Sequence, residues 1–187
     1  MRSLQSLAAV IVVCCGSAGA ASAAQSGPEI GTTAPDFKAR NLMTGEKVEL
    51  AAERGKLVIV TFWATWCGPC RRELPILERA QQLVGKDRLT VFAVNFRDTP
   101  AAAGQVRIVA KAWKLTFVED RSGVIASRYR ISGIPHLFMI NSGGEIIANH
   151  LGYGDRSVEE LVNDINHALG AQPAEPVPDP ATPPAPP

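Results

Sequence analysis

Val58-Ile59-Val60-Thr61-Phe62-Trp63-Ala64-Thr65-Trp66-Cys67-Gly68-Pro69-Cys70-Arg71-Arg72-Glu73-Leu74-Pro75 joins an apolar run to a C-x-x-C and then to a segment of helical pattern. The run is apolar apart from Thr61, as expected of a strand covered on both faces of a sheet. The helix that follows places Cys67 at its N-terminus, where free backbone N–H groups and the macrodipole favour an anion. A thiolate is such an anion, so Cys67 is expected to be a cysteine of lowered pKa.

Downstream, residues 68–84 read as that helix, with Leu74, Leu77, Ala80, Gln81 and Val84 near one face and Pro75 inside it. A second apolar strand spans 89–94. A helix follows over 100–113, with Pro100 suited to its first turn and Val106, Val109, Ala110 and Trp113 at helical spacing. A short strand at 116–118 and a short helix at 123–129 lead to the turn Ser132-Gly133-Ile134-Pro135. Strands at 136–140 and 145–151 flank the hairpin turn Asn141-Ser142-Gly143-Gly144. Ser157 and Glu160 form an S-x-x-E capping pattern before the stripe Leu161, Ile165, Ala168, Leu169. Upstream, Thr33-Ala34-Pro35-Asp36-Phe37 reads as extended, and residues 39–50 as a hairpin turning at Met43-Thr44-Gly45-Glu46. Strands alternating with helices argue for an α/β architecture, and the closing hairpin makes the sheet mixed.

The chain has 187 residues, 46% apolar and 20% charged, which suits one domain with a real core. A net charge of +1, without a basic stripe, gives no case for nucleic acid. Residues 1–24 read as a signal peptide: Arg2, an apolar run at 7–15, and small residues ending in Ala21-Ser22-Ala23. The run is shorter than the ~20 residues of a membrane span; an uncleaved N-terminal anchor is the alternative. Residues 25–32 are expected to be a linker, 33–170 the domain, and 171–187 a Pro/Ala-rich disordered tail. Of four cysteines, Cys14 and Cys15 fall in the segment expected to be removed, leaving Cys67 and Cys70. A single pair in an exported protein is redox-active, metal-binding or a lone staple.

The segment from Phe62 to Pro75, the Gly133-Ile134-Pro135 turn, the stretch Phe138-Met139-Ile140-Asn141-Ser142-Gly143-Gly144-Glu145 and the leading Ala34-Pro35-Asp36-Phe37 resemble the TlpA/ResA/CcmG branch of the thioredoxin superfamily, over about residues 30–169. The resemblance implies a thioredoxin fold: three layers, α/β/α, around a mixed central sheet, with an N-terminal hairpin and an inserted strand–helix. It also implies a cis Pro135 facing the redox pair, with the backbone of Ile134 pairing with an extended substrate.

On this resemblance Cys67 is the nucleophile, forming a mixed disulfide that Cys70 resolves, which leaves the Cys67–Cys70 disulfide. A structural disulfide closing so short a loop would remove little unfolded-state entropy. Zinc would want four ligands, and no second C-x-x-C or H-x₃₋₅-H is present, so no metal ligand and no cofactor are assigned. Gly68 and Pro69 match thioredoxin, which lies near about −270 mV, and lean towards a reductase. Glu73, three residues beyond Cys70, is a candidate proton acceptor, or else a first-turn acid favoured by the helix dipole. Thr61 stands where thioredoxins proper carry a buried aspartate, which moves proton transfer to Glu73 or water. Trp63 reads as core packing, Trp66 as partner-facing, and Arg71 as a possible support for the Cys67 thiolate.

The leading expectation is therefore a periplasmic or otherwise exported thiol–disulfide oxidoreductase, a disulfide reductant acting as a monomer on disulfide-containing protein partners. Relatives reduce apocytochrome c or copper-site cysteines and are recycled by a membrane thiol donor of the DsbD/CcdA type. The alternative is a copper metallochaperone using Cys67, Cys70 and His136, with His136 otherwise a strand residue near the rim. His150 and His167 are expected to face solvent.

Overall fold

The computed structural model describes residues 27–170. The expected signal or anchor segment and the Pro/Ala-rich tail lie outside them. Eleven elements run in the order β1 (Lys38–Asn41), β2 (Lys47–Glu49), β3 (Leu57–Trp63), α1 (Gly68–Val84), β4 (Leu89–Phe96), α2 (Pro100–Val109), β5 (Thr116–Asp120), α3 (Val124–Arg128), β6 (His136–Ile140), β7 (Ile146–Leu151) and α4 (Asp155–Ala168), with one 3₁₀ turn at Leu50–Glu53. The strands form one seven-stranded sheet in the order β2-β1-β5-β4-β3-β6-β7. β3, β4 and β5 are parallel, and β1, β6 and β7 run antiparallel to their neighbours, so the sheet is mixed. This is the α/β thioredoxin fold.

β3 is central and every one of its residues is buried. Its odd-numbered side chains Ile59 and Trp63 join Cys70, Leu74 and Leu77 of α1, Val106 of α2, and Leu161 and Ile165 of α4. Its even-numbered side chains Val58, Val60 and Phe62 face the other way, onto Ala34, Phe37, Leu50, Ile125 and Tyr129. The period-two alternation of the strand thus divides the core into two layers.

Four local expectations change. Residues 27–32, read as a linker, dock on the sheet in part: Gly31 N–H donates to Ile146 O at 2.7 Å and Ile146 N–H to Thr32 O at 2.9 Å. Helix α2 ends at Val109 rather than at Trp113, because the chain beyond it is captured by side chains of α1. Glu78 accepts from the backbone N–H groups of Lys114 (2.9 Å) and Leu115 (3.1 Å), and the Gln81 amide donates to Lys114 O at 3.0 Å. Ser157 lies inside the first turn of α4 and is not its cap. Gly152, at φ +89°, turns the chain out of β7 early enough for the helix to begin at Asp155. β5 continues to Asp120, where its carboxylate accepts the first N–H groups of α3, Ile125 at 3.1 Å and Ala126 at 2.8 Å. No helix among the described residues is long and apolar enough to cross a membrane.

Candidate active site

β3 and β4 release their chains side by side at the C-terminal edge of the parallel strands, with Trp63 paired to Asn95. The loop leaving β3 carries Cys67, and Cys70 follows in the first turn of α1. Cys67 takes an extended conformation as the N-cap of α1, and its Sγ accepts the Cys70 N–H at 3.2 Å. Pro69 sits in the first turn, where the missing donor costs nothing. Cys67 and Cys70 are joined by a disulfide with the Cα atoms 5.3 Å apart. Both are buried, while the adjacent Trp66 is 63% exposed. Trp63 is core, edge-on to Phe117 at 5.6 Å.

The Ile134–Pro135 bond is cis. Pro135 is buried and its carbonyl accepts Gly152 N–H at 2.8 Å. β6 begins at the next residue, with His136 paired to Phe62 near the end of β3. Ile134 and Pro135 therefore enter the sheet beside the strand end that feeds Cys67.

Thr61 and Glu73 meet beneath α1. The Thr61 hydroxyl donates to Glu73 Oε2 at 3.1 Å, and Glu73 is only 3% exposed. Burial disfavours its ionised form more than this one hydrogen bond favours it, so its pKa rises from 4.5 to about 7. Glu73 thus titrates near neutrality, on the inward face of the helix that Cys67 caps and that carries Cys70.

His136 lies in the core rather than at the rim. Its Nε2 is 2.6 Å from Asn149 Oδ1, and its ring stacks on Phe138 at 4.4 Å. Burial holds its pKa below the usual histidine range. Phe138 belongs to the layer across the sheet from Cys70, so the sheet divides His136 from the cysteines. Among the described residues no three His, Cys, Asp or Glu side chains converge as a metal site. His150 is half-buried, with Nε2 2.8 Å from Asp164 Oδ2 on α4, while His167 faces solvent.

Arg71 is exposed and lines, with Trp63, Leu74, Pro75, Trp113 and Phe117, a mainly apolar cavity of about 380 Å³. Arg72 stacks over the Tyr153 ring at 5.6 Å. Residues missed by sequence reasoning are Asp98 and Asn95. Asp98 Oδ2 accepts Thr65 N–H at 2.9 Å and its Oδ1 accepts the Thr65 hydroxyl at 2.9 Å, while the Asn95 amide donates to Oδ2 at 2.7 Å. Only the β3–β4 register, invisible in a single sequence, brings these positions together.

The Redoxin family model matches residues 29–165. The chain belongs to the Redoxin family. Within it, the chain is 39% identical over 128 residues to the thioredoxin-like protein YneN of Bacillus subtilis, covering 67% of this chain and 74% of that protein. It is 34% identical over 119 residues to the thiol-disulfide oxidoreductase ResA of Geobacillus kaustophilus, covering 63% of this chain and 66% of that one. In structure it resembles a thiol:disulfide interchange protein DsbE of Chlorobium tepidum, with a TM-score of 0.68 and 30% identity over 76% of this chain and 99% of that one. This Redoxin-family chain is a thiol–disulfide oxidoreductase of the ResA/DsbE type, in the thioredoxin superfamily, and Cys67–Cys70 is its redox pair.

Proposed function

We propose that the protein works as a disulfide reductant for specific exported partners, with the haem-binding cysteines of apocytochrome c or copper-site cysteines as its substrate class. The observation that carries this reading is the Cys67–Cys70 disulfide at the N-terminus of α1, backed by a buried Glu73 that titrates at about 7.

In the reduced protein the Cys67 thiolate attacks a partner disulfide, forming a mixed disulfide and expelling one partner thiolate. Cys70 then loses its proton, with Glu73 as acceptor, and its sulfur attacks Cys67 Sγ. The second partner thiolate leaves and the Cys67–Cys70 bond closes. Two electrons pass to the partner, whose two thiolates take up two protons. A membrane thiol donor of the DsbD/CcdA type returns the pair to the dithiol. The partner chain lies across Trp66, Gly68, Pro69, Ile134 and Pro135, with the backbone of Ile134 pairing to it. The protein acts as a monomer outside the cytoplasm, either free after signal cleavage or held by its N-terminal segment.

The test is a trap. Cys70→Ser should hold the mixed disulfide on Cys67, and mass spectrometry then names the partner. Cys67→Ser should neither trap a partner nor reduce insulin with a thiol donor. Normal insulin reduction by Cys67→Ser would sink the mechanism. A potential for the pair near about −120 mV, as in a strong oxidant, would reverse the proposed direction.

A further inference from the structure

We propose that Asp98 is a positioning residue for the redox pair: its carboxylate clasps Thr65 and so holds the turn that carries Cys67 within reach of Cys70. The inference rests on Cys67 and Cys70 being that pair.

Thr65 lies inside the turn closed by Cys67 N–H to Ala64 O at 3.1 Å. Asp98 takes both donors of Thr65 at 2.9 Å, one on each carboxylate oxygen. Its aim is fixed from its own side as well. The buried Asn95 amide donates to Oδ2 at 2.7 Å, and Arg97, between them, takes a left-handed φ of +55°. A left-handed arginine is costly, and here it turns the chain at the end of β4 so that Asp98 points back at the neighbouring loop. Thr99, the next residue, caps α2 by accepting Ala102 N–H at 3.2 Å. The clasp is thus anchored between β4 and α2.

Cys70 is fixed in α1, fully buried. Cys67 precedes the helix, and its freedom is set by the 64–67 turn. Holding that turn removes disorder that ring closure would otherwise have to remove, which raises the effective concentration of one thiol at the other. The clasp therefore favours closing the disulfide, in the exchange where the protein dithiol plus glutathione disulfide gives the protein disulfide plus two glutathione molecules.

The experiment equilibrates the protein in glutathione buffers and traps free thiols. Asp98→Ala should lower the closing constant about tenfold, which is about 30 mV towards a less reducing potential. Asp98→Asn should stay within about threefold of the wild type, because its amide oxygen accepts the Thr65 N–H and its amide nitrogen donates to the Thr65 hydroxyl. Thr65→Val should give part of the loss and Thr65→Ser should not, which carries the test if Asp98→Ala fails to fold. Adding Thr65→Val to Asp98→Ala should cost nothing more. Asp120→Ala, which uncaps α3 on the opposite layer, should lower stability and leave the constant unchanged. The proposal is overturned if Asp98→Ala lies within twofold of the wild type, if Asp98→Asn falls as far as Asp98→Ala, or if Asp120→Ala moves the constant equally. A wild-type protein that formed no Cys67–Cys70 disulfide at any glutathione ratio would instead overturn the redox pair itself.

Discussion

Helix α1 buries two glutamates five residues apart, and they do opposite work. Glu78 is 7% exposed and receives three donors: the backbone N–H groups of Lys114 and Leu115 and the Gln82 amide at 2.7 Å. Glu73 is 3% exposed, and the Thr61 hydroxyl is the donor recorded on it. Glu78 uses its carboxylate to tie the catalytic helix to the start of β5. Glu73 sits at the cysteine end of the same helix and pays for its burial with a pKa of about 7. The lesson is that two buried carboxylates on one helix differ by their supply of donors. Glu78 devotes its oxygens to fastening the helix, whereas at Glu73 burial outweighs a single hydroxyl and raises the pKa.

Glu78→Ala should have the largest effect. It strands two backbone N–H groups and should cost about 3 kcal/mol in chemical denaturation. The pH dependence of the rate per folded molecule should not move; a moved profile would mean that both glutamates serve the chemistry and would break the comparison.

Glu73→Gln comes next and acts through pH. The native carboxyl holds its proton up to about 7, while in the unfolded chain it releases it near 4.5. Between those values the folded state binds more protons, so the oxidised wild type should lose stability as pH rises through that window, by about 3 kcal/mol in total. Glu73→Gln should remove that slope and be the more stable protein at pH 8. Urea titrations at pH 4.5, 6 and 8 check this, and equal slopes in the two proteins would contradict the raised pKa. If Glu73 accepts the Cys70 proton, resolution of the mixed disulfide should also lose its rise across pH 7.

Thr61→Val is the smallest and most selective change. It removes a hydrogen bond that favours the ionised form, so the Glu73 midpoint should climb by roughly half to one unit. Following the Glu73 side-chain carboxyl carbon by NMR reads this directly. A midpoint that falls would show that the Thr61 hydroxyl favours the protonated carboxyl instead of donating to its ionised form.

Much of the fold was legible because periodicity and burial agree. The apolar run at Leu57–Trp63 reads as a doubly covered strand, and residues 68–84 read as a helix from the face of Leu74, Leu77 and Val84; both stand in the structure. Two of the failures share a cause. The end of α2 is set by Glu78 and Gln81 reaching from α1, and the depth of His136 by its place on β6 against Asn149 and Phe138. Apart from the stack of His136 on its near neighbour Phe138, these contacts join residues 13 to 37 apart in the chain, which local patterns do not record. Gln81 appeared in the sequence as part of an apolar face; it is buried because Lys114 O and Val91 N–H satisfy it, at 3.0 and 2.7 Å.

By itself the sequence determined the strand-to-helix junction that caps α1 with Cys67 and the spacing that puts Cys70 one turn on. These are local matters of propensity, capping and helical period. Only the tertiary structure decided which of the two α1 glutamates is left short of donors, that the sheet separates His136 from the cysteines, and that Asp98 grips the turn before Cys67. Those depend on strand register and on which side chains share a face of the sheet, and register is fixed by the packing of the whole domain.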